Sequence, residues 1–300
     1  MGNLSKIPII PGKKGWPWDE ESDYTFNNNE YIPKISIVIP SFNQGKFLEE
    51  TIRSVILQNY PNTEIIIIDG GSKDNTIEVM KKYEQYITFW ISEIDNGQSH
   101  ALNKGYKHAT GQIYGWLNSD DIYAKNSFNE AVKALNDNPD KLVVFGDYLN
   151  IDEHSNLINR EFAFDFSLNQ FIYEGFHMNA QSMFWRSSLH REFKEFDETL
   201  HRTMDYDMIL RFGLIASDRK FLRLNTVMGC FRRHPEQKTI GLDEKVINEH
   251  KRIAENNNLS LKYTSIGKLF RLKNRFRRLR WYIKRGGLLY TIKKAMGQNV

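Results

Sequence analysis

The stretch KISIVIPSFNQGKFLEETIRSVILQNYPNTEIIIIDGG, Lys34–Gly71, decides the fold class. Its ends are short β-branched runs, KISIVIP and EIIIIDG, and between them GKFLEETIRSVILQ places Leu48, Ile52 and Val55 on one helical face. Two apolar runs joined by an amphipathic helix make a strand–helix–strand unit, whose parallel strands are covered on both sides. The alternation continues outward. SKDNTIEVMKKYEQY predicts a helix, ITFWISE a strand, GQSHALNKGYKHA a helix and QIYGWLN a strand. Right-handed crossovers then bring the carboxyl ends of the strands to one rim, where ligands of such sheets bind. That rim carries SFN, DGGSKD, EIDNG and NSDD.

Beyond Asp147 the alternation weakens. NAQSMFW and FLRLNTVMGCFRR predict strands, and TMDYDMILRFGLIA predicts a helix with acids in its first turn. No linker interrupts this half, so residues 34–255 are expected to form one α/β domain around a mostly parallel central sheet. Before it, Pro8, Pro11, Pro17 and Pro33 mark an irregular arm over residues 1–33, with Trp16 and Trp18 expected to pin the arm to the domain surface. After it, residues 256–300 form a basic tail. It contains 12 Lys or Arg and no Asp or Glu, leaving 29 basic and 37 acidic residues in Met1–Glu255. An acidic body with a basic extension suggests an anionic surface as partner. Leu269, Leu272, Phe276, Leu279 and Ile283 recur at helical spacing among these cations, and Leu288, Ile292 and Met296 follow the RGG break. Such a helix suits an anionic membrane surface; packing against the domain or a partner subunit is the other reading.

Composition sets further bounds. At 300 residues with 40% hydrophobic content the chain can bury a proper core. The single cysteine, Cys230, excludes an internal disulfide framework and points to a reducing compartment. No apolar run reaches the roughly 18 residues of a membrane span, and the start MGNLSKIPII has neither a secretory core nor the serine position of a myristoylation signal. A cytoplasmic location is expected, peripheral at the inner face of the membrane if the tail binds there. The charged tail alone does not make a nucleic-acid binder, because the body shows no such module.

The first strand ends in IPSFNQG, without the G-x-G-x-x-G turn of dinucleotide binders, and no P-loop lysine occurs. Phosphates on this rim therefore need another positive charge, and a divalent cation supplies it with only one or two protein ligands. Asp120 and Asp121 offer such oxygens at a strand end, although Asn-Ser-Asp-Asp is equally a good turn and helix-cap sequence.

Three segments taken in order, ISIVIPSFNQGKFLEETIRSVILQNYPNTEIIIIDGGSKDNT, SEIDNGQSHALNKGYKHATGQIYGWLNSDD and DYDMILRF, resemble the family 2 inverting glycosyltransferases of the GT-A fold. The resemblance covers roughly residues 34–235 and implies a nucleotide-diphosphate sugar donor, with UDP the expected nucleotide. On it, Ser41 and Asp69 match the positions that hold base and ribose, and Asp95 lies in the segment lining the donor pocket. Asn118 stands where the first aspartate of an Asp-x-Asp signature often stands, so it is expected to meet ribose. Asp120 would carry an Mn²⁺ or Mg²⁺ ion, with Asp121 spare. His234 matches a histidine that reaches back to the metal, and Arg232 and Arg233 could face phosphate. Asp205 matches the base that takes a proton from the acceptor hydroxyl, the acceptor being a cell-surface glycan or lipid-linked precursor, with YEGFHMNAQSMFW lining its side. Asn118 also leaves a rival reading, a non-catalytic sugar-nucleotide or membrane-binding relative of the same fold.

Overall fold

The computed structural model describes residues 2–23, 31–175, 178–237, 244–259 and 265–295. The opening unit forms as its pattern dictates: β1 (Ile35–Ser41), α1 (Gly45–Ile56) and β2 (Thr63–Asp69), with β1 and β2 paired in parallel from Ile35↔Thr63 to Ser41↔Asp69. Alternate residues of these strands enter opposite cores. Ile37, Ile39, Ile65 and Ile67 pack with Leu48, Ile52 and Val55 of α1, whereas Val38, Ile66 and Ile68 pack on the other face. Two-sided burial is why both runs are almost wholly apolar.

Next come α2 (Thr76–Lys82), β3 (Phe89–Ser92), α3 (Gln98–His108) and β4 (Ile113–Trp116). β3 joins β2 and β4 joins β1, both in parallel. Helix α3 lies very close to the sheet because residue 105 is glycine; a Cβ there would meet Val38 Cγ1 at 2.3 Å. The remaining elements are β5 (Ile122–Tyr123), α4 (Ser127–Asp137), β6 (Val143–Ile151), β7 (Leu157–Glu161), α5 (Leu168–Glu174), β8 (Met183–Arg186), α6 (Ser187–Phe193), α7 (Met204–Ala216), β9 (Phe221–Arg232), α8 (Glu244–Asn256) and α9 (Ser265–Ala295). Among the described residues they complete one nine-stranded sheet of order β3-β2-β1-β4-β8-β6-β9-β5, with β7 beside β6. β8 enters antiparallel to both β4 and β6, while β6 and β9 run parallel. This reversal explains why the strict alternation fades in the second half of the sequence.

The N-terminal residues lie against this body. Trp16 Nε1 donates to the Tyr123 carbonyl at 2.8 Å, and the buried guanidinium of Arg53 donates to the carbonyls of Pro8, Pro17 and Trp18. At the other end α9 breaks at Gly287 (φ 79°, ψ 169°), within the RGG step. Its inner side is tied to the body by Arg278 to Glu174 at 3.2 Å and by Arg285 to Asp147 at 3.0 Å, and Phe164 packs on Trp281 and Tyr282. Leu269, Leu272, Phe276, Leu279 and Ile283 are all exposed. Met296, the last residue of the predicted second apolar piece, lies outside the described residues, as do Phe176 and His177 of the predicted acceptor segment.

Candidate functional site

A cavity of about 680 Å³ opens at the carboxyl ends of β1, β2 and β4. Its floor includes Pro40, Ser41 and Ala101, its walls Gly70, Gly71, Asp95, Gln98, Asn118 and Asp120, and Phe231 and Gln237 close the far side. At the mouth Phe42 and Ile94 are exposed at 59% and 87%, giving the cavity apolar lips. Ser41 is buried, yet its Oγ has no hydrogen-bond partner. A buried hydroxyl without a partner is uncommon, and here it borders an open cavity.

Asp69 is fully buried and does not line the cavity. Its Oδ2 accepts from Gly71 N–H, Ser72 N–H and Ser92 Oγ–H, and its Oδ1 accepts from Ser72 Oγ–H. The carboxylate is thus spent on building the turn after β2, in which Gly71 takes a positive φ of 84° that a side chain would resist. What reaches the cavity from this turn is backbone, at Gly70 and Gly71. Asp95 lies directly across: a Cβ on Gly70 would come within 3.0 Å of Asp95 Oδ2, while Asp95 Oδ1 accepts from Gly97 N–H at 2.7 Å.

The turn after β4 divides its polar groups. Asn118 Oδ1 accepts from Trp116 Nε1–H and Gln98 Nε2–H, both at 2.7 Å, and Asn118 Nδ2 donates to Asp121 Oδ2 at 3.1 Å. Most of its bonding capacity therefore orders the turn, leaving one amide hydrogen for the cavity it lines. Asp121 is buried and accepts from Arg232 N–H through Oδ1. Burial, reinforced by the neighbouring Asp120 carboxylate, pushes its pKa well above the usual carboxylate range. Asp120 points the other way. Its Oδ2 meets His234 Nε2 at 3.0 Å, and its Oδ1 has no partner among the described residues.

Arg232 determines this division. Its guanidinium turns inward, away from the cavity, and is wholly buried. Nε donates to the Asp120 carbonyl at 2.7 Å, Nη2 to Glu50 at 2.8 Å, and Nη1 to Ser155 Oγ and the Asp152 carbonyl. The expectation that Arg232 faces phosphate is therefore corrected: the bond geometry shows an internal clamp on the backbone of Asp120. Arg233 is exposed and donates to Asn150 Oδ1 at 3.1 Å, and it too is absent from the cavity wall. His234 is buried against Phe47, with ring centroids 4.8 Å apart.

Asp205 sits in the first turn of α7 and lies outside the cavity lining. The loop leading to it runs along the cavity's edge, since Ser99 Oγ–H donates to the Leu200 carbonyl and His201 Nδ1 would lie 3.9 Å from a Cβ on Gly97. Burial raises the Asp205 carboxyl to about 6, against the opposing hydrogen bond from Tyr206 N–H and with the help of the nearby Glu249 charge. Asp207 instead pairs with Arg211 at 3.2 Å. Sequence reading missed Glu249. From α8 its carboxylate accepts from His201 N–H, Arg202 N–H and Thr203 Oγ–H, holding the loop that delivers Asp205. Nothing in the local pattern of α8 marks that residue, because its partners are mainly backbone groups some 46 to 48 positions earlier.

Metal ligation is tested by the donor set. Among the described residues no three of His, Cys, Asp and Glu gather into a group that could hold an ion. Asp120, on the cavity wall, meets His234, which is buried and outside the lining. One free carboxylate oxygen with an imidazole beside it fits a cation that takes its other ligands from substrate phosphates and water, and does not fit an all-protein cage.

Residues 36–193 match the family model for glycosyl transferase family 2. An uncharacterised glycosyltransferase of Rickettsia typhi is 33% identical over 199 residues, a match spanning 63% of this chain and 61% of that protein. Another, from Mycobacterium tuberculosis, is 30% identical over 186 residues, spanning 61% of this chain and 70% of the relative. Among solved structures, Staphylococcus aureus TarS 1–349 in complex with UDP-GlcNAc superposes with a TM-score of 0.58 at 16% identity, covering 88% of this chain and 92% of that one. The mannosyltransferase PcManGT from Pyrobaculum calidifontis, in complex with GDP-Man and Mn²⁺, gives 0.56 at 16% identity, covering 94% and 82%. With a strand-end cavity, a GT-A fold and a family match over more than half its length, the chain belongs to glycosyltransferase family 2.

Proposed function

We propose that the protein is an inverting glycosyltransferase that moves a sugar from a nucleotide-diphosphate donor, a UDP-sugar, to a hydroxyl of a cell-surface glycan or lipid-linked precursor. The observation carrying this reading is a strand-end cavity onto which Asp120 opens its carboxylate, with His234 beside it. Ser41, with its unpartnered hydroxyl in the floor, and Asp95 in the wall meet the nucleoside, and Asn118 offers its remaining amide hydrogen to ribose. Asp69 serves the same pocket indirectly, by fixing the Gly70–Gly71 backbone that lines it. Asp120 and His234 would hold Mn²⁺ or Mg²⁺, which when bound neutralises the charge growing on the departing diphosphate. The family relationship and the complexes of TarS and PcManGT support this donor class.

Asp205 acts as base. In a single displacement the acceptor oxygen attacks the anomeric carbon as the bond to the diphosphate breaks, and Asp205 takes the hydroxyl proton. A carboxyl raised to about 6 suits that role, being mostly ionised near neutrality and still basic enough to accept a proton. The first turn of α7 adds a favourable field for the charged form. Glu249 is a positioning residue for this group. Reaction with a lipid-linked acceptor places the enzyme at the cytoplasmic face of a membrane.

The test is donor hydrolysis and transfer by the full chain with Mn²⁺ and a panel of UDP-sugars, compared with Asp205→Asn. The variant should retain donor-induced thermal stabilisation and lose about 10²–10⁴-fold in rate. A native chain that binds donor yet neither hydrolyses nor transfers it would favour a non-catalytic sugar-nucleotide binder.

A further inference from the structure

Helix α9 divides its circumference in three. The side toward the body carries Arg278, Trp281, Tyr282 and Arg285, engaged with Glu174, Phe164 and the fully buried Asp147. Projected at 100° per residue, the exposed Leu269, Leu272, Phe276, Leu279 and Ile283 occupy a continuous arc of about 80°. Exposed cations border this arc on both sides. Lys273, Arg277, Arg280 and Lys284 lie along one edge, and Lys268 and Arg275 along the other.

A helix packed only to complete the fold would turn its apolar residues inward. Here the ion pairs and aromatic rings face the body, and the apolar residues are held outward. No helix among the described residues is long and apolar enough to cross a membrane. An apolar strip between two rows of long cationic side chains matches a lipid surface viewed in cross-section: the strip enters the acyl boundary while Lys and Arg reach anionic headgroups on either side. A second copy of the same face is a poor occupant, because apposing two such strips would bring the cationic edges together without any Asp or Glu from residues 256–300 to offset them.

We infer that this outward face of α9 is an in-plane binding surface for anionic lipid, fixed to the catalytic body through the Arg285–Asp147 and Arg278–Glu174 pairs. The inference deepens the proposed function, since it supplies the membrane at which a lipid-linked acceptor would be met, and rests on that reading only for its biological purpose. The anchored mode also sets the body's orientation. An ion-paired helix carries the domain with it, rather than tethering it by a flexible chain.

The experiment is co-sedimentation of the full chain with vesicles of phosphatidylcholine alone or mixed with phosphatidylglycerol, alongside Phe276→Glu and the double variant Lys273→Glu/Arg280→Glu. The native chain should bind the anionic vesicles, release as salt rises and ignore the neutral ones. Each variant should lose about tenfold or more in partitioning while melting like the native chain, since the changed side chains are exposed. Native protein left in the supernatant with anionic vesicles overturns the inference, as does unchanged binding by the variants. A native dimer that Phe276→Glu turns into a monomer, without vesicle binding, assigns the strip to a second copy and also overturns it. Donor hydrolysis by the native chain separates the two claims: a native chain that hydrolyses donor but does not bind anionic vesicles counts against the lipid surface alone, and one that binds vesicles but does not hydrolyse donor counts against the transferase alone.

Discussion

Two turns at the same rim, DGGS after β2 and NSDD after β4, use their carboxylates in opposite ways. Asp69 faces inward and is consumed by four hydrogen bonds from its own neighbourhood. In the second turn Asp121 plays that inward part, and Asp120 is released to face the cavity. The difference lies in Arg232, a buried cation that fixes the Asp120 carbonyl from behind and has no counterpart beside Asp69 among the described residues. Both turns end a buried parallel strand, and both must satisfy backbone groups where the ladder stops. Only the turn with a separate clamp has a carboxylate to spare for chemistry.

Removing that clamp should have the largest effect. Arg232→Met leaves Glu50 charged and buried, and should lower unfolding stability by about 3–5 kcal/mol in denaturant titration. Adding Glu50→Met should recover much of the loss, because the uncompensated charge goes with it. If the single variant were as stable as the native chain, the contrast between the turns would need another cause. Asp120→Asn should do the reverse, costing about 10²–10³-fold in donor turnover with little change in melting temperature. Asp69→Asn should invert this again. Replacing one acceptor oxygen by a donor opposite three N–H or O–H groups should cost about 2 kcal/mol of stability, and any loss of donor binding should follow from the disturbed Gly70–Gly71 wall.

Smaller effects follow from Asp205. With its carboxyl at about 6, kcat/KM should be half-maximal near that pH on the acid side and fall about tenfold per pH unit below it. The Glu249 charge helps to raise Asp205, so Glu249→Gln should move the limb to lower pH while loosening the loop that Glu249 holds. A limb left in place would show that Glu249 acts on Asp205 through structure alone. The smallest effect concerns His190, whose ring is buried among Tyr106, Trp185 and Phe193 and whose pKa is lowered by burial to about 4. Between the ordinary histidine value and that pH the unfolded chain binds more protons, so stability should fall as pH drops through the window. His190→Gln should flatten that slope in acid melts.

The strand–helix–strand pattern made the first half of the fold legible, since two-sided burial leaves a continuous apolar run and the amphipathic helix leaves a stripe. The rim followed from it. The second half was less legible because β8 reverses direction between two strands, and because β5, at two residues, carries no period. Ser41, Asp95, Asn118 and Asp120 do line one cavity, and His234 does meet Asp120. The destination of each carboxylate was not legible. Asp69, Asp120 and Asp121 are alike in local sequence, and their separation depends on Arg232 more than a hundred residues away. For the same reason Arg232 read as a phosphate ligand: its partner Glu50 lies on α1, one of two adjacent acids on that helix. The stripe on α9 was visible as a pattern, but which side faces the body depends on Asp147 and Glu174, which only the fold brings there.

The account rests most on Asp120 facing a bound nucleotide diphosphate, and thermal melting with UDP and Mn²⁺ tests this directly. The native chain should be stabilised in a concentration-dependent way, by about 2.7 kcal/mol at a hundredfold excess over the dissociation constant. Asp120→Asn, equally stable without ligand, should lose most of that gain. An unchanged gain in the variant, or none in the native chain, would contradict the assignment.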